Sequence, residues 1–151
     1  MEQRRGGDRN AGKAFASRMK FLDASVLVEA CLLNSLKFRQ ADALIGEGGC
    51  TSAHALAEAY ATLSGDKRLR INPHDAAKMV LDCSKKLQVA SLGDSEMLAL
   101  IESAPRKGVS GGSFYDAIHA ETARKLGCPV IHTLNGSHFR HVAPDLQVVG
   151  L

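Results

Sequence analysis

The sequence predicts an α/β domain, a mostly parallel sheet with helices on both faces, and three observations carry that prediction. Strand-like and helix-like segments alternate at the spacing of strand–helix units, which favours parallel strands joined by crossover helices. Aromatic residues make up only 5% of the chain, Trp is absent, and Ala and Leu are abundant, a composition suited to helices packed on a sheet. At 151 residues, 45% hydrophobic and 23% charged, the chain can fill one core and hardly two.

The elements follow in chain order. Residues 1–18 are polar, rich in Gly and Arg and aperiodic, so they read as a disordered tail, or one foreign to the domain, ahead of a folded part at 19–151. KFLDASVLV (20–28) reads as a strand passing into a helix through Asp23 and Ser25, and EACLLNSLKFRQADALIGEG (29–48) continues helical until the glycines near 46–49. Thr51 or Ser52 can cap the helix AHALAEAYATLSG. Asn72 followed by Pro73 marks another helix start, LQVASL a short strand, and DSEMLALIESAP a helix capped by Asp94 and ended before Pro105. After the loop RKGVSGGS, Ser113 is expected to cap a helix that carries Asp116 and stops at Gly127. PVIHTL reads as a strand, NGSHFRHVAP as a long turn, and LQVVG as a terminal strand.

Charge says little by its sum and more by its distribution. The net +3 resides in residues 1–18, leaving residues 19–151 with fourteen basic and fourteen acidic side chains. A basic binding surface is therefore local, with Lys67, Arg68 and Arg70 or Arg106 and Lys107 as candidates. Cys31, Cys50, Cys83 and Cys128 show no CxxC pairing and sit among apolar residues, which reads as buried thiols in a reducing cytoplasm. With no apolar run long enough to span a bilayer and no signal-peptide core in MEQRRGGDRNAGKAF, the expectation is a cytoplasmic protein without membrane contact.

The acids are the informative residues. In an open parallel sheet, ligands bind outside the carboxyl ends of the strands. Asp23 ends the first strand and Asn135 follows the strand PVIHTL, so both belong to that rim. Asp116 occupies the first turn of the preceding helix, and Glu58 the middle of an Ala-rich one; Ala55, Ala57 and Ala59 beside Glu58, and Ala117 and Ala120 beside Asp116, leave room around the carboxylates. Each acid alone has a plainer use, as a helix cap, a dipole partner or a surface charge. Together they are harder to dismiss, because carboxylates ~5 Å apart repel by roughly 3 kcal/mol per pair at an effective dielectric of about 20. A hard divalent cation such as Mg²⁺ or Mn²⁺ resolves that repulsion, and the chemistry it supports is phosphodiester hydrolysis.

These residues give a resemblance. FLDASVLV with Asp23, HALAEAYATL with Glu58, SFYDAIHAETARKLGCPVIHT with Asp116 and Thr133, and the following LNGSHF together resemble a PIN-domain ribonuclease, specifically the VapC-like toxin of a type II toxin–antitoxin pair, over residues 20–151. The resemblance implies a three-layer α/β/α sandwich with a short, mostly parallel sheet and an acidic cluster of Asp23, Glu58 and Asp116 that binds Mg²⁺ or Mn²⁺. It also implies cleavage of RNA, a homodimer and a cognate antitoxin. Many relatives have a fourth Asp where this chain has Asn135, whose amide oxygen would then support the site. Ser25 and Thr133 hydroxyls would steady carboxylates, and the basic residues above, with His138, would contact RNA phosphates.

Rival readings are weaker. Cys128, His132, His138 and His141 lack the spacing of a structural zinc site. His54, four residues before Glu58, and His119, three after Asp116, read first as half-buried hydrogen-bonded histidines, with orientation of a carboxylate as the alternative. Phosphoaspartyl chemistry needs an adjacent acid pair or DxDx[TV] where this chain has DAS, and GEGG and SGGS lack the context of a dinucleotide loop. The remaining alternative is a PIN domain without activity that serves as an RNA- or protein-binding module.

Overall fold

A computed structural model describes residues 19–151; the tail expected at 1–18 lies outside the described residues. The strands are β1 (Lys20–Leu22), β2 (Cys50–Ser52), β3 (Gln88–Ala90), β4 (Val130–Thr133) and β5 (Gln147–Gly150). The helices are α1 (Ala24–Glu29), α2 (Phe38–Gly46), α3 (Ala53–Gly65), α4 (Pro73–Ser84), α5 (Asp94–Ser103), α6 (Ser113–Lys125) and α7 (Gly136–Val142), with a 3₁₀ turn at Pro105–Lys107. All strand pairings are parallel and the sheet order is β3-β2-β1-β4-β5. The chain thus builds outward from β1 on one side, crosses over, and builds outward again on the other. The crossover makes the β1–β4 boundary a topological switch point, where adjacent connections diverge and leave a crevice.

Period-two alternation in the central strand sorts the core into two layers. Leu22 packs with Val26, Leu27, Ala41, Ile45, Ala55, Ala59 and Leu63, so α1–α4 cover one face. Phe21 turns the other way, into Cys50, Ala120, Ala123, Ile131 and Phe139, under α6 and α7. A smaller cluster of Leu100, Ala104, Val109, Ala117 and Ile118 ties α5 to α6. The expected α/β/α sandwich is what forms. Gly49 is required where it is: its φ is +136°, and a Cβ there would meet the Lys20 carbonyl oxygen at 2.9 Å.

Local expectations were met unevenly. Ser52 and Asn72 cap α3 and α4, accepting from the N–H groups of Ala55 and Asp75, and Gly127 ends α6 with φ +69°. Asp94 is not the cap of α5: Gly93 is, and its N–H donates to the Glu96 carboxylate at 2.6 Å. Nor does Ser113 cap α6. It is the first helical residue, and its hydroxyl bonds back to the Ser110 backbone. The single helix expected over 29–48 is broken at 30–37, because Ser35 ties the turn down by bonding Glu29 and the Lys37 N–H. The long turn NGSHFRHVAP contains α7, a helix with no strong signal of its own that forms because it buries Phe139 completely. β2 was not anticipated, because Thr51 and Ser52 read as a helix cap, and Ser52 is both the last strand residue and that cap. Cys50 and Cys128 are buried as expected, Cys31 and Cys83 only half so.

Candidate active site

The strand ladder delivers Asp23 to the switch point. Its N–H still bonds the His132 carbonyl at 3.3 Å, and the chain then turns into α1 with Asp23 as N-cap. The side chain is 3% exposed and both of its oxygens are occupied. Oδ1 accepts from the Ser25 hydroxyl at 2.5 Å and the Val26 N–H at 3.3 Å, and Oδ2 accepts from the Thr133 hydroxyl at 2.6 Å. The capping use expected of Asp23 is therefore real, and the same carboxylate is held from β4 as well. Burial pushes its pKa up, and the hydrogen bonds from Ser25, Thr133 and Val26 pull against that.

Ser25 and Thr133 do more than hold Asp23. Leu134 N–H donates to Ser25 Oγ at 2.9 Å and Asn135 N–H donates to Thr133 Oγ1 at 2.8 Å, so the chain leaving β4 is fastened to the chain leaving β1. Asn135 makes no side-chain cap on α7, which leaves its amide available on the rim.

Glu58 and Asp116 reach the same region from helices. Glu58 on α3 lines two grooves, of about 470 and 500 Å³. The first also has Ser25, Leu134 and Asn135 in its walls; the second has Tyr115, Asp116, Ser137 and His138. Glu58 thus stands where the two meet. Its carboxylate lies between two imidazoles, 3.0 Å from His54 Nε2 and 3.1 Å from His119 Nε2. Burial pushes its pKa up, but His119 and then His54 outweigh that and hold it below the ordinary value. Asp116 has looser company, with His138 Nδ1 at 3.8 Å. Burial raises its pKa, and repulsion from Asp23 and Glu58 adds to this against the opposing pull of His119 and His138.

Asp116 thus lies near enough to Asp23 and Glu58 for their charges to raise its pKa, and carboxylate oxygens are hard donors that suit a divalent cation. The chain matches the model of the PIN domain over residues 20–144. It belongs to the PIN-domain family. PIN domains are generally nucleases and typically bind divalent metals, and a PIN domain implies a nucleic-acid substrate. The fold is also that of a solved structure described as PAE2754 from Pyrobaculum aerophilum, with a TM-score of 0.60 and 21% identity over 87% of this chain and 89% of that one. No curated protein matches it.

Of the residues proposed to touch RNA, only His138 lines either groove of this PIN domain. Arg68 is engaged by Asp66 through two hydrogen bonds, at 3.0 and 2.7 Å. Lys67 and Arg70 are exposed past the far end of α3, about 10 Å of helix beyond Glu58. Arg106 and Lys107 are exposed on the 3₁₀ turn. Of the histidines, His119 is buried and hydrogen-bonded as expected, and both it and His54 also contact a carboxylate. His119 is 2% exposed and bridges Ser52 Oγ, 3.0 Å from its Nδ1, to Glu58. A histidine on the Ala-rich face of α6, three residues past Asp116, was the available signal. Among the described residues, no helix is long and apolar enough to cross a membrane.

Proposed function

We propose that this chain is a Mg²⁺- or Mn²⁺-dependent endoribonuclease, the VapC-like toxin of a type II toxin–antitoxin pair. The observation that supports it best is that, in a PIN fold, Glu58 stands between a groove walled by Ser25 and Asn135 and one walled by Asp116, with Asp23 bonded to that same Ser25. Asp23, Glu58 and Asp116 would hold the metal directly or through water, with the Asn135 amide oxygen in support. Bound there, the ion would neutralise the developing charge on a phosphoryl oxygen and lower the pKa of an attacking water.

The protein's own residues supply position. Ser25 and Thr133 lock the Asp23 carboxylate in one orientation, so it needs no reorganisation when substrate arrives. Asp116, whose pKa is raised by burial and by the charges of Asp23 and Glu58, would be relieved by a cation. His138, exposed beside it, is placed to meet a phosphate oxygen. Tyr115 is half exposed in the same groove and stacks on His54 with its other face, and so offers a surface for an unpaired base. Lys67, Arg68, Arg70, Arg106 and Lys107 would contribute phosphate contacts farther along the strand, which salt would weaken.

In this reading the protein works in the cytoplasm as a homodimer, and exposed Leu33, Leu36 and Leu81 offer apolar surface for protein contacts. The cognate antitoxin would lay a basic side chain, Arg by its geometry, over Asp23 and Asp116 in place of the metal. The test is cleavage of a structured RNA by wild type and Asp116→Asn, with and without Mg²⁺ or Mn²⁺. Metal-dependent cleavage by wild type alone supports the proposal. RNA or protein binding without cleavage, at any metal concentration, would sink it in favour of a binding module.

A further inference from the structure

Glu58 differs from the other acids of the rim in being gripped by nitrogen. His54 and Glu58 lie four residues apart on α3, and His119 comes across from α6. One ligand atom from each lies within 4.8 Å of the others. His119 is fixed from behind: its Nδ1 is 3.0 Å from Ser52 Oγ, which also accepts the Ala55 N–H at 2.8 Å. His54 is fixed by its ring, stacked on Tyr115 with centroids 5.2 Å apart and planes 18° from parallel. The ordinary explanation, two imidazole N–H groups donating to one carboxylate, covers His119. It covers His54 less well. That Nε2 atom is buried and contacts Glu58 Oε1 at 3.0 Å, close enough to lower the carboxylate's pKa but without the alignment of a good hydrogen bond.

We propose that His54, Glu58 and His119 form a second cation site, of borderline chemistry, which takes Zn²⁺ or Co²⁺ in preference to Mg²⁺. Two imidazole nitrogens and one carboxylate are the donors that such ions favour, whereas Mg²⁺ selects oxygen. The Glu58–histidine separations of 3.0 and 3.1 Å are already near the ~3.3 Å edge of a tetrahedron with bonds of ~2.0 Å. Ser52 behind His119 supplies the outer hydrogen bond that usually orients a ligating imidazole. Three protein ligands leave an open position toward the groove. The carboxylate that completes this site is the one the acidic cleft would use, so a bound zinc ion withdraws Glu58 from the cleft. The site itself stands apart from the nuclease reading, and only that consequence rests on it.

The test separates the two. Metal-free protein is titrated with Co²⁺ in the absence of RNA. The expected result is a visible d–d band of four- or five-coordinate intensity at one equivalent per chain, abolished by equimolar Zn²⁺ and retained in Asp116→Asn. His54→Ala should weaken Co²⁺ binding at least about 10-fold, the smallest loss seen for lesser changes around metal sites. His119→Gln should do the same; should circular dichroism show it unfolded, His54→Ala decides alone, its side chain being 33% exposed. A pale octahedral spectrum in wild type, or a band that survives His54→Ala, overturns the site. In the second arm, one equivalent of Zn²⁺ should slow Mg²⁺-supported RNA cleavage by wild type about 10-fold or more, and by distinctly less in His54→Ala relative to its own zinc-free rate. Equal inhibition of both overturns the link through Glu58. A cobalt band in a protein that cuts no RNA leaves the site standing and removes the nuclease reading, and cleavage without a band does the reverse.

Discussion

The two halves of the rim hold their carboxylates in opposite ways. In the strand half, Asp23 is buried, accepts three hydrogen bonds, and is sewn to β4 through Ser25 and Thr133. In the helix half, Glu58 is 36% exposed between two imidazoles, and among the described residues the ion-pair partner of Asp116 is a histidine 3.8 Å away. The strand half is finished before any ligand arrives. The helix half leaves unbalanced charge that a ligand would complete. This is the division expected of a site that must be rigid where it orients a ligand and incomplete where it binds one.

That contrast is broken most severely by replacing an acid in each half. Asp23→Asn and Asp116→Asn should each lower metal-dependent RNA cleavage by roughly 100-fold or more, the scale of one electrostatic group in an active site. Stability should separate them. An Asn at position 23 turns an NH₂ toward hydroxyl or N–H donors, costing roughly 1–3 kcal/mol in denaturant unfolding, whereas Asp116→Asn should hold or raise stability at neutral pH. Equal destabilisation of both would erase the distinction.

A smaller effect tests the stitching. Thr133→Val removes the donor to Asp23 Oδ2 and the acceptor of the Asn135 N–H, so it should cost about 1–2 kcal/mol and slow cleavage roughly 10-fold. Thr133→Ser, which keeps the hydroxyl, should recover most of both. A Thr133→Val variant with wild-type rate would mean that Asp23 does not need this orientation.

The pH dependence of stability sharpens the comparison further. Asp116 has a folded pKa above its ordinary value of 3.8, so its ionised form disfavours the fold. The penalty is fully present above the raised folded pKa and disappears as pH falls through it toward the unfolded value. Thermal unfolding of metal-free wild type and Asp116→Asn should therefore show the variant ahead at pH 7, with the gap closing near pH 4. Glu58, with a lowered pKa, has the opposite sign: its contribution is present above its unfolded value and is lost as pH falls through the folded one. A gap that widens on acidification would contradict the assignment of Asp116 as the strained acid.

The smallest change is expected at Asn135. Asn135→Asp should lower the Mg²⁺ concentration for half-maximal cleavage, with the gain shrinking toward saturation, since an added charge improves ion capture and not the chemical step. Asn135→Ala should cost less than any acid replacement. Identical half-maximal concentrations for wild type and Asn135→Asp would show that this residue does not face the metal.

The strand half was legible in the sequence. FLDAS places an acid and a hydroxyl at the end of one strand, VIHTLN places a hydroxyl and an amide at the end of another, and parallel strands put both at one rim. The Asn72–Pro73 helix start and the stop at Gly127 were legible for the same reason, that caps act over three or four residues. The failures share a cause too. α7 exists because Phe139 is completely buried, and α6 begins at Ser113, whose hydroxyl bonds the Ser110 backbone instead of capping the helix. Neither is written in local propensity.

By itself, then, the sequence determined the alternation of strands and helices, the rim on which Asp23 and Asn135 stand, and the acids available to it, because these follow from periodicity, caps and strand polarity within short windows. The strand order β3-β2-β1-β4-β5 was decided only in three dimensions, and with it the switch point between β1 and β4. So was the pairing of Glu58 with His119, 61 residues apart, and of Asp23 with Thr133, 110 apart. Contacts at such separations depend on how layers pack and which side chains are desolvated together. No local pattern carries that information.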